Sequence, residues 1–196
     1  MLLLLGALIG LGAGLLSGGR LANLAALQLR WPYLPIAALA VKEIALVAPF
    51  NRMDAAPVAY AISLIALIGW TLWHVKRLPA VWLLTSGMLL NLIPVLANGG
   101  RMPVSQDLAA RGPHILIQQG YAGQYVLMSQ RTNFNWLADW VAMPGPLGAV
   151  IPEAYSPGDL VAFCGLIAIT FLAVRRAPQI AAQAGETSGR IVSDPP

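Results

Sequence analysis

Charge is what this chain has least of. Charged residues make up 10% of its 196 positions against 58% hydrophobic ones, and its mean hydropathy is +0.69. A soluble domain of this size carries roughly a quarter charged residues, so that class is excluded. Cysteine is reduced to Cys164 inside an apolar run, which leaves no disulfide framework, no CxxC pair and no zinc spacing. Histidine occurs twice, at His74 and His114, and no Cys, His or carboxylate stands at metal spacing around His74. No nucleophile and base pair, phosphate loop or dinucleotide fingerprint is present, so neither an enzyme nor a bound cofactor is expected.

The basic excess, a net charge of +4 and a pI near 9.6, does not point to nucleic acid. The arginines and lysines stand singly or in pairs at the ends of apolar runs, as orientation in a membrane requires. The pattern predicts an all-α transmembrane bundle of about five helices in one domain, residues 1–176, followed by a disordered polar tail, 177–196. The helices are expected at about 1–17, 32–50, 57–75, 79–97 and 158–174, with a long loop over 98–157.

The first run has no basic n-region, and its first basic residue, Arg20, follows it; this reads as a retained helix with its N-terminus outside. Gly6, Gly10, Gly14 and Gly18 recur every fourth residue and form one small-residue ridge. It predicts a close helix-packing face, or alternatively the seam of a homodimer. Lys42-Glu43 is expected near the middle of the second helix, as a local neutralising pair or as part of an ion path. Trp70, Trp73, His74, Lys76 and Arg77 crowd a boundary and read as an interfacial belt with a solvated His74. Asn91 shares a helical face with Gly87 and Asn98 and needs a partner inside the bundle. The carbonyl freed by Pro94 is one candidate for it.

Beyond Ser105 the chain is too polar to span, although Trp136-Leu137-x-x-Trp140-Val141 suits the membrane surface. Ser156-Pro-Gly-Asp159 then supplies an N-cap, a proline at the first helical position and an acid at the third: an acidic capping box. The Gly-x-Gly-Asp of intramembrane aspartyl proteases is not matched, because Ser156 replaces its first glycine. Counting charges, Arg20, Arg30, Lys76, Arg77, Arg175, Arg176 and Arg190 fall on one side and Arg52, Arg101, Arg111 and Arg131 on the other. Seven against four places the N-terminus outside, the C-terminus inside and the long loop outside.

The most specific string is Asn98-Gly-Gly-Arg-Met-Pro-Val-Ser105, with an echo at Ser17-Gly-Gly-Arg20. Together with Gly18-Gly-Arg-Leu-x-Asn-Leu24, Trp31-Pro32, Asn91, Leu137-x-Asp139 and Ser156-x-Gly-Asp159, it resembles a family of small bacterial multi-pass membrane proteins of unknown function. The resemblance covers most of residues 1–175 and implies a bacterial cytoplasmic membrane, but no activity. Lys42-Glu43 departs from the apolar second helix that it implies.

Gly99 and Gly100 suit a left-handed helix stop that holds Arg101 at the bilayer edge, where Asp139 or Asp159 is expected to accept its guanidinium and pin the loop. Asn91, Asn98, Gly99, Gly100, Arg101, Asp139 and Asp159 are thus the candidate constellation. The favoured function is a structural or accessory membrane subunit whose partners are the lipid bilayer and either copies of itself or a larger complex. The alternative is a small transporter or channel with a polar path near Lys42, Glu43 and Asn91.

Overall fold

The computed structural model describes residues 2–25, 27, 29–44, 50, 53–109, 117, 123–143, 145, 148 and 153–176. The expected polar tail, Arg52, Arg111 and His114 lie outside the described residues, as does the second helix beyond Ile44. The chain is mostly helical with little strand: α1 (Leu2–Leu16), a single turn α2 (Ala22–Ala25), α3 (Tyr33–Ile44), α4 (Ala55–Trp73), α5 (Val81–Ala97) and α6 (Pro157–Arg175). Helices α4 and α6 are long and apolar enough to cross a membrane, with mean hydropathies of 1.8 and 2.0. Nineteen residues at 1.5 Å each reach about 28 Å, close to the thickness of a hydrocarbon core.

Helix α6 is the axis of the bundle, flanked by α1 on one side and α5 on the other, while α4 packs on α5 and α3 packs on α4. Both contacts of α6 are made through glycine. Gly6, Gly10 and Gly14 of α1 are buried against Phe163, Ile167, Thr170, Phe171 and Val174. Gly87 of α5 meets Gly158 and Ala162, and Gly165 meets Leu83 and Leu84. With no Cβ in the way, backbones approach closely enough for dispersion and weak CH···O contacts to hold them. Gly6, Gly10 and Gly14 of the α1 ridge are therefore taken up in packing within the chain. Gly18 does not share in it: its φ is +89°, nothing lies within 4 Å of its added Cβ, and the close approach to Val174 passes to Gly19.

The ends of the helices are tied across the bundle. The Val174 carbonyl, near the C-terminus of α6, accepts from Arg20 N–H at 2.8 Å and from Asn23 Nδ2 at 2.6 Å. Arg176 donates to the Arg77 carbonyl at 2.9 Å, and Arg30 N–H to His74 Nε2 at 3.1 Å. Arg20, Arg30, Arg77, Arg175 and Arg176 thus gather at one end. His74 is fully buried rather than solvated, because each ring nitrogen has a backbone partner: Nδ1 donates to the Trp70 carbonyl at 2.8 Å and Nε2 accepts from Arg30. That pattern selects the neutral tautomer protonated on Nδ1.

The opposite end carries the segment expected to be a loop. It holds a parallel pair, β1 (Met102–Val104) with β2 (Tyr125–Leu127), an antiparallel pair, β3 (Val141–Ala142) with β4 (Ala154–Tyr155), and a 3-10 turn, Asn135–Leu137. That turn interrupts the expected amphipathic stretch: Leu137 is buried while Trp136 and Trp140 stay exposed.

Within α1 the two kinds of glycine predict opposite outcomes. A Cβ on Gly10 would press into the Ile167 carbonyl, whereas one on Gly12 meets nothing within 4 Å. Gly10→Ala is expected to lower stability by about 1–3 kcal/mol through overpacking, and Gly12→Ala to leave it level or raise it by up to about 1 kcal/mol through helix propensity. Thermal unfolding of both variants in detergent checks this, and equal effects would contradict the packing.

Candidate functional site

The string 98–105 works as a joint built from backbone. Asn98 caps the C-terminus of α5, Gly99 follows at φ +65°, and Gly100 N–H returns to the Val95 carbonyl at 2.8 Å, the six-to-one bond of a Schellman stop. Gly100 is constrained twice, by φ +83° and by Pro57, whose carbonyl a Cβ would meet. Asn98 then ties the far segment to the bundle. Its Nδ2 donates to the Pro94 carbonyl at 2.7 Å and the Asn133 carbonyl at 2.9 Å, while its Oδ1 accepts from Asn133 N–H at 2.9 Å.

Strand β1 leaves this joint and grips Asp139 from both sides of its peptide: Asp139 N–H donates to the Pro103 carbonyl at 3.0 Å, and Ser105 N–H to the Asp139 carbonyl at 2.9 Å. The string therefore positions Asp139 through the main chain. The expected ion pair of Arg101 with Asp139 or Asp159 is not formed, and the Arg101 Nε is buried without a partner. Both Asp159 oxygens are engaged elsewhere. Its Oδ1 accepts from Asn91 Nδ2 at 2.7 Å and its Oδ2 from Ser156 N–H at 3.1 Å.

Those bonds belong to the cap of α6. Ser156 Oγ accepts from Asp159 N–H at 2.9 Å, closing the capping box, and donates to Asn91 Oδ1 at 2.6 Å. Both ends of the Asn91 amide are thus spent on α6 rather than on the carbonyl freed by Pro94.

Cap, strand and helices line an open cavity of about 600 Å³. Its polar wall comprises Lys42 and Glu43 from α3, Asn91, Asp159, Asp139 and Glu153. Lys42 and Glu43 lie in the last described turn of α3, with Nζ and Oε1 3.9 Å apart, a loose pair. Three tyrosines, Tyr60, Tyr125 and Tyr155, complete the wall. The structure so brings together Lys42, Glu43, Asn91, Asp139 and Asp159. Asn98, Gly99 and Gly100 support the cavity from behind, and neither Arg101 nor the α1 glycines line it.

The sequence argument missed Glu153 and the tyrosines as site residues. The one available signal was Tyr60, a phenol within the otherwise apolar α4.

Asp139 is the anomalous group. It is 4% exposed, and its Oδ1 is buried with no hydrogen-bond partner. Burial first, and the charge of Asp159 second, hold its carboxyl well above the usual aspartate range, with Lys42 acting in the opposite sense. The Tyr155 phenol is pushed up as well, chiefly by burial and also by its 2.9 Å bond to Glu153 Oε2.

The comparisons with known proteins fix the family. Residues 26–171 match a family of unknown function, DUF5317. The chain belongs to DUF5317. No curated protein and no solved structure matches it. The DUF5317 match takes in α3 to α5, α6 as far as residue 171, and the described polar residues of the cavity wall.

A raised carboxyl stabilises the fold below the ordinary aspartate range, and that contribution is lost as pH rises toward its folded value. Asp139→Asn, which removes a buried unpaired charge, is expected to raise the melting temperature at pH 8. The gain shrinks as pH falls toward 4, where the carboxyl of the unfolded chain takes up its proton as well. A gain that grew on acidification would contradict the burial of Asp139.

Proposed function

We propose that this DUF5317 member is a multi-pass membrane protein that admits a small solute to the cavity between α3, α4, α5 and α6. The observation that carries it is Asp139: a nearly buried carboxylate with an unpartnered oxygen, in a roomy cavity that also holds Lys42, Glu43 and Asn91. A volume of about 600 Å³ suits a small molecule. Ionisable groups kept beside apolar helices are costly, and a solute path is their usual explanation. The transporter reading thereby moves ahead of the accessory-subunit reading, because packing and capping account for Asn91 and Asp159 but leave Asp139 without a partner.

In this proposal five helices cross a bacterial cytoplasmic membrane, with the N-terminus and the cavity end outside. The gathering of Arg20, Arg30, Arg77, Arg175 and Arg176 at the other end supports that orientation. The accessory-subunit reading keeps one observation of its own: α3 packs mainly on α4, and Tyr33 and Ile36 on it are exposed.

Two measurements test the proposal. Cysteines introduced at Gln106 and Arg20 in a Cys164→Ser background are expected to react with an impermeant label on intact cells at Gln106 only; reaction at Arg20 alone reverses the orientation. Proteoliposomes are expected to take up at least one solute from a panel of labelled amines, sugars and carboxylates, with uptake lost in Glu43→Gln. No uptake of any of them, together with a protein partner that co-purifies from native membranes, would replace this reading with the accessory one.

A further inference from the structure

On the reading that the cavity takes a solute, its chemistry also states which kind. Among the described residues four carboxylates line it, Glu43, Asp139, Glu153 and Asp159, against the single ammonium of Lys42. Three of the four already have a partner. Asp159 accepts from Asn91 and Ser156, Glu153 from the Tyr155 hydroxyl, and Glu43 faces Lys42. Of the four, Asp139 alone has a buried carboxylate oxygen without a hydrogen-bond partner, although its backbone is held by β1.

We propose that the solute is a small organic cation, an alkylammonium, whose positive centre sits against the Asp139 carboxylate while the tyrosine rings receive its apolar substituents. Phenol rings attract an ammonium through their negative faces, and a desolvated site strengthens that attraction. Tyr60, Tyr125 and Tyr155 approach from α4, β2 and β4, so the charged centre is flanked from three elements. A bare metal ion is a poorer match: among the described residues no three ligating side chains converge.

The pairing also fixes what the cation displaces. Burial favours the protonated form of Asp139, so an arriving cation takes the place of that proton, which leaves to solvent. One positive charge replaces another and the balance closes. The groups facing Asp139 across the cavity are Asp159 on α6, Lys42 and Glu43 on α3, Tyr60 on α4, Tyr125 on β2, and Glu153 with Tyr155 at β4. The acids and phenols supply no competing positive charge, and among the described lining residues Lys42 is the one built-in rival for Asp139.

The test is calorimetric titration of the purified full chain in detergent with tetraethylammonium, and with glucose and glutamate as neutral and anionic probes. Tetraethylammonium is expected to bind at pH 8 and more weakly at pH 6, and the other two to stay silent. Asp139→Asn is expected to weaken it by at least about tenfold, the loss of one charged contact; Lys42→Gln, which removes the rival, is expected to tighten it. A folded Asp139→Asn that binds as the wild type does overturns the inference. If that variant does not fold, a Lys42→Gln chain that binds no more tightly overturns it. Binding of glucose or glutamate with tetraethylammonium silent leaves the solute cavity standing and removes the cation. Silence from all three removes both.

Discussion

A helix end away from water must find partners for its free N–H groups, and the cluster of Asn91, Ser156 and Asp159 meets that demand for the N-terminus of α6. Everything nearby follows from it. Because Asn91 stands on α5, the cap also fixes the height of α5 against α6, and that register puts Gly87 opposite Gly158 and Ala162. Because Ser156 follows directly on β4, the cap also sets where the small sheets stand over the bundle. Removing the Asn91 amide would strand a serine hydroxyl and a carboxylate oxygen together, which is why a single buried amide matters more here than a surface ion pair.

The cavity is the remainder of the same geometry. The sheet holds Asp139 in place through the main chain, and main-chain bonds leave its side chain free to face inward. Two backbone bonds fasten it while its carboxylate receives no donor at Oδ1. A site built in this way is preorganised, since the reorganisation needed on binding falls on the solute and a proton rather than on the chain.

What the sequence made legible was local. Runs of apolar residues located the helices, a four-residue period marked the α1 ridge, and Ser-Pro-Gly-Asp and Gly-Gly announced a start and a stop by their own backbone chemistry. What it hid was long-range. Lys42, Tyr60, Asp139 and Glu153 come from separate elements, and no spacing links them. Strands of two or three residues are too short to leave an alternating pattern. Arg101 misled for a related reason: opposite charges on one side of a membrane suggest a pair, but both Asp159 oxygens were already committed to hydrogen bonds. His74 misled because a histidine at a boundary looks wet until the backbone groups that enclose it are known.

The glycine ridge of α1 has a further consequence, in time rather than in space. Its mate, α6, is the last of the described helices, so about 160 residues separate Gly14 from its contacts in the sequence. During synthesis α1 exists through the making of α2 to α5 with its most closely fitting face unmatched, and only the arrival of α6 completes it. Since α6 also carries the cap that aligns α5, the bundle and its cavity close together in one late event. A chain stopped short of α6 would hold its other helices without the element that gives them a common register.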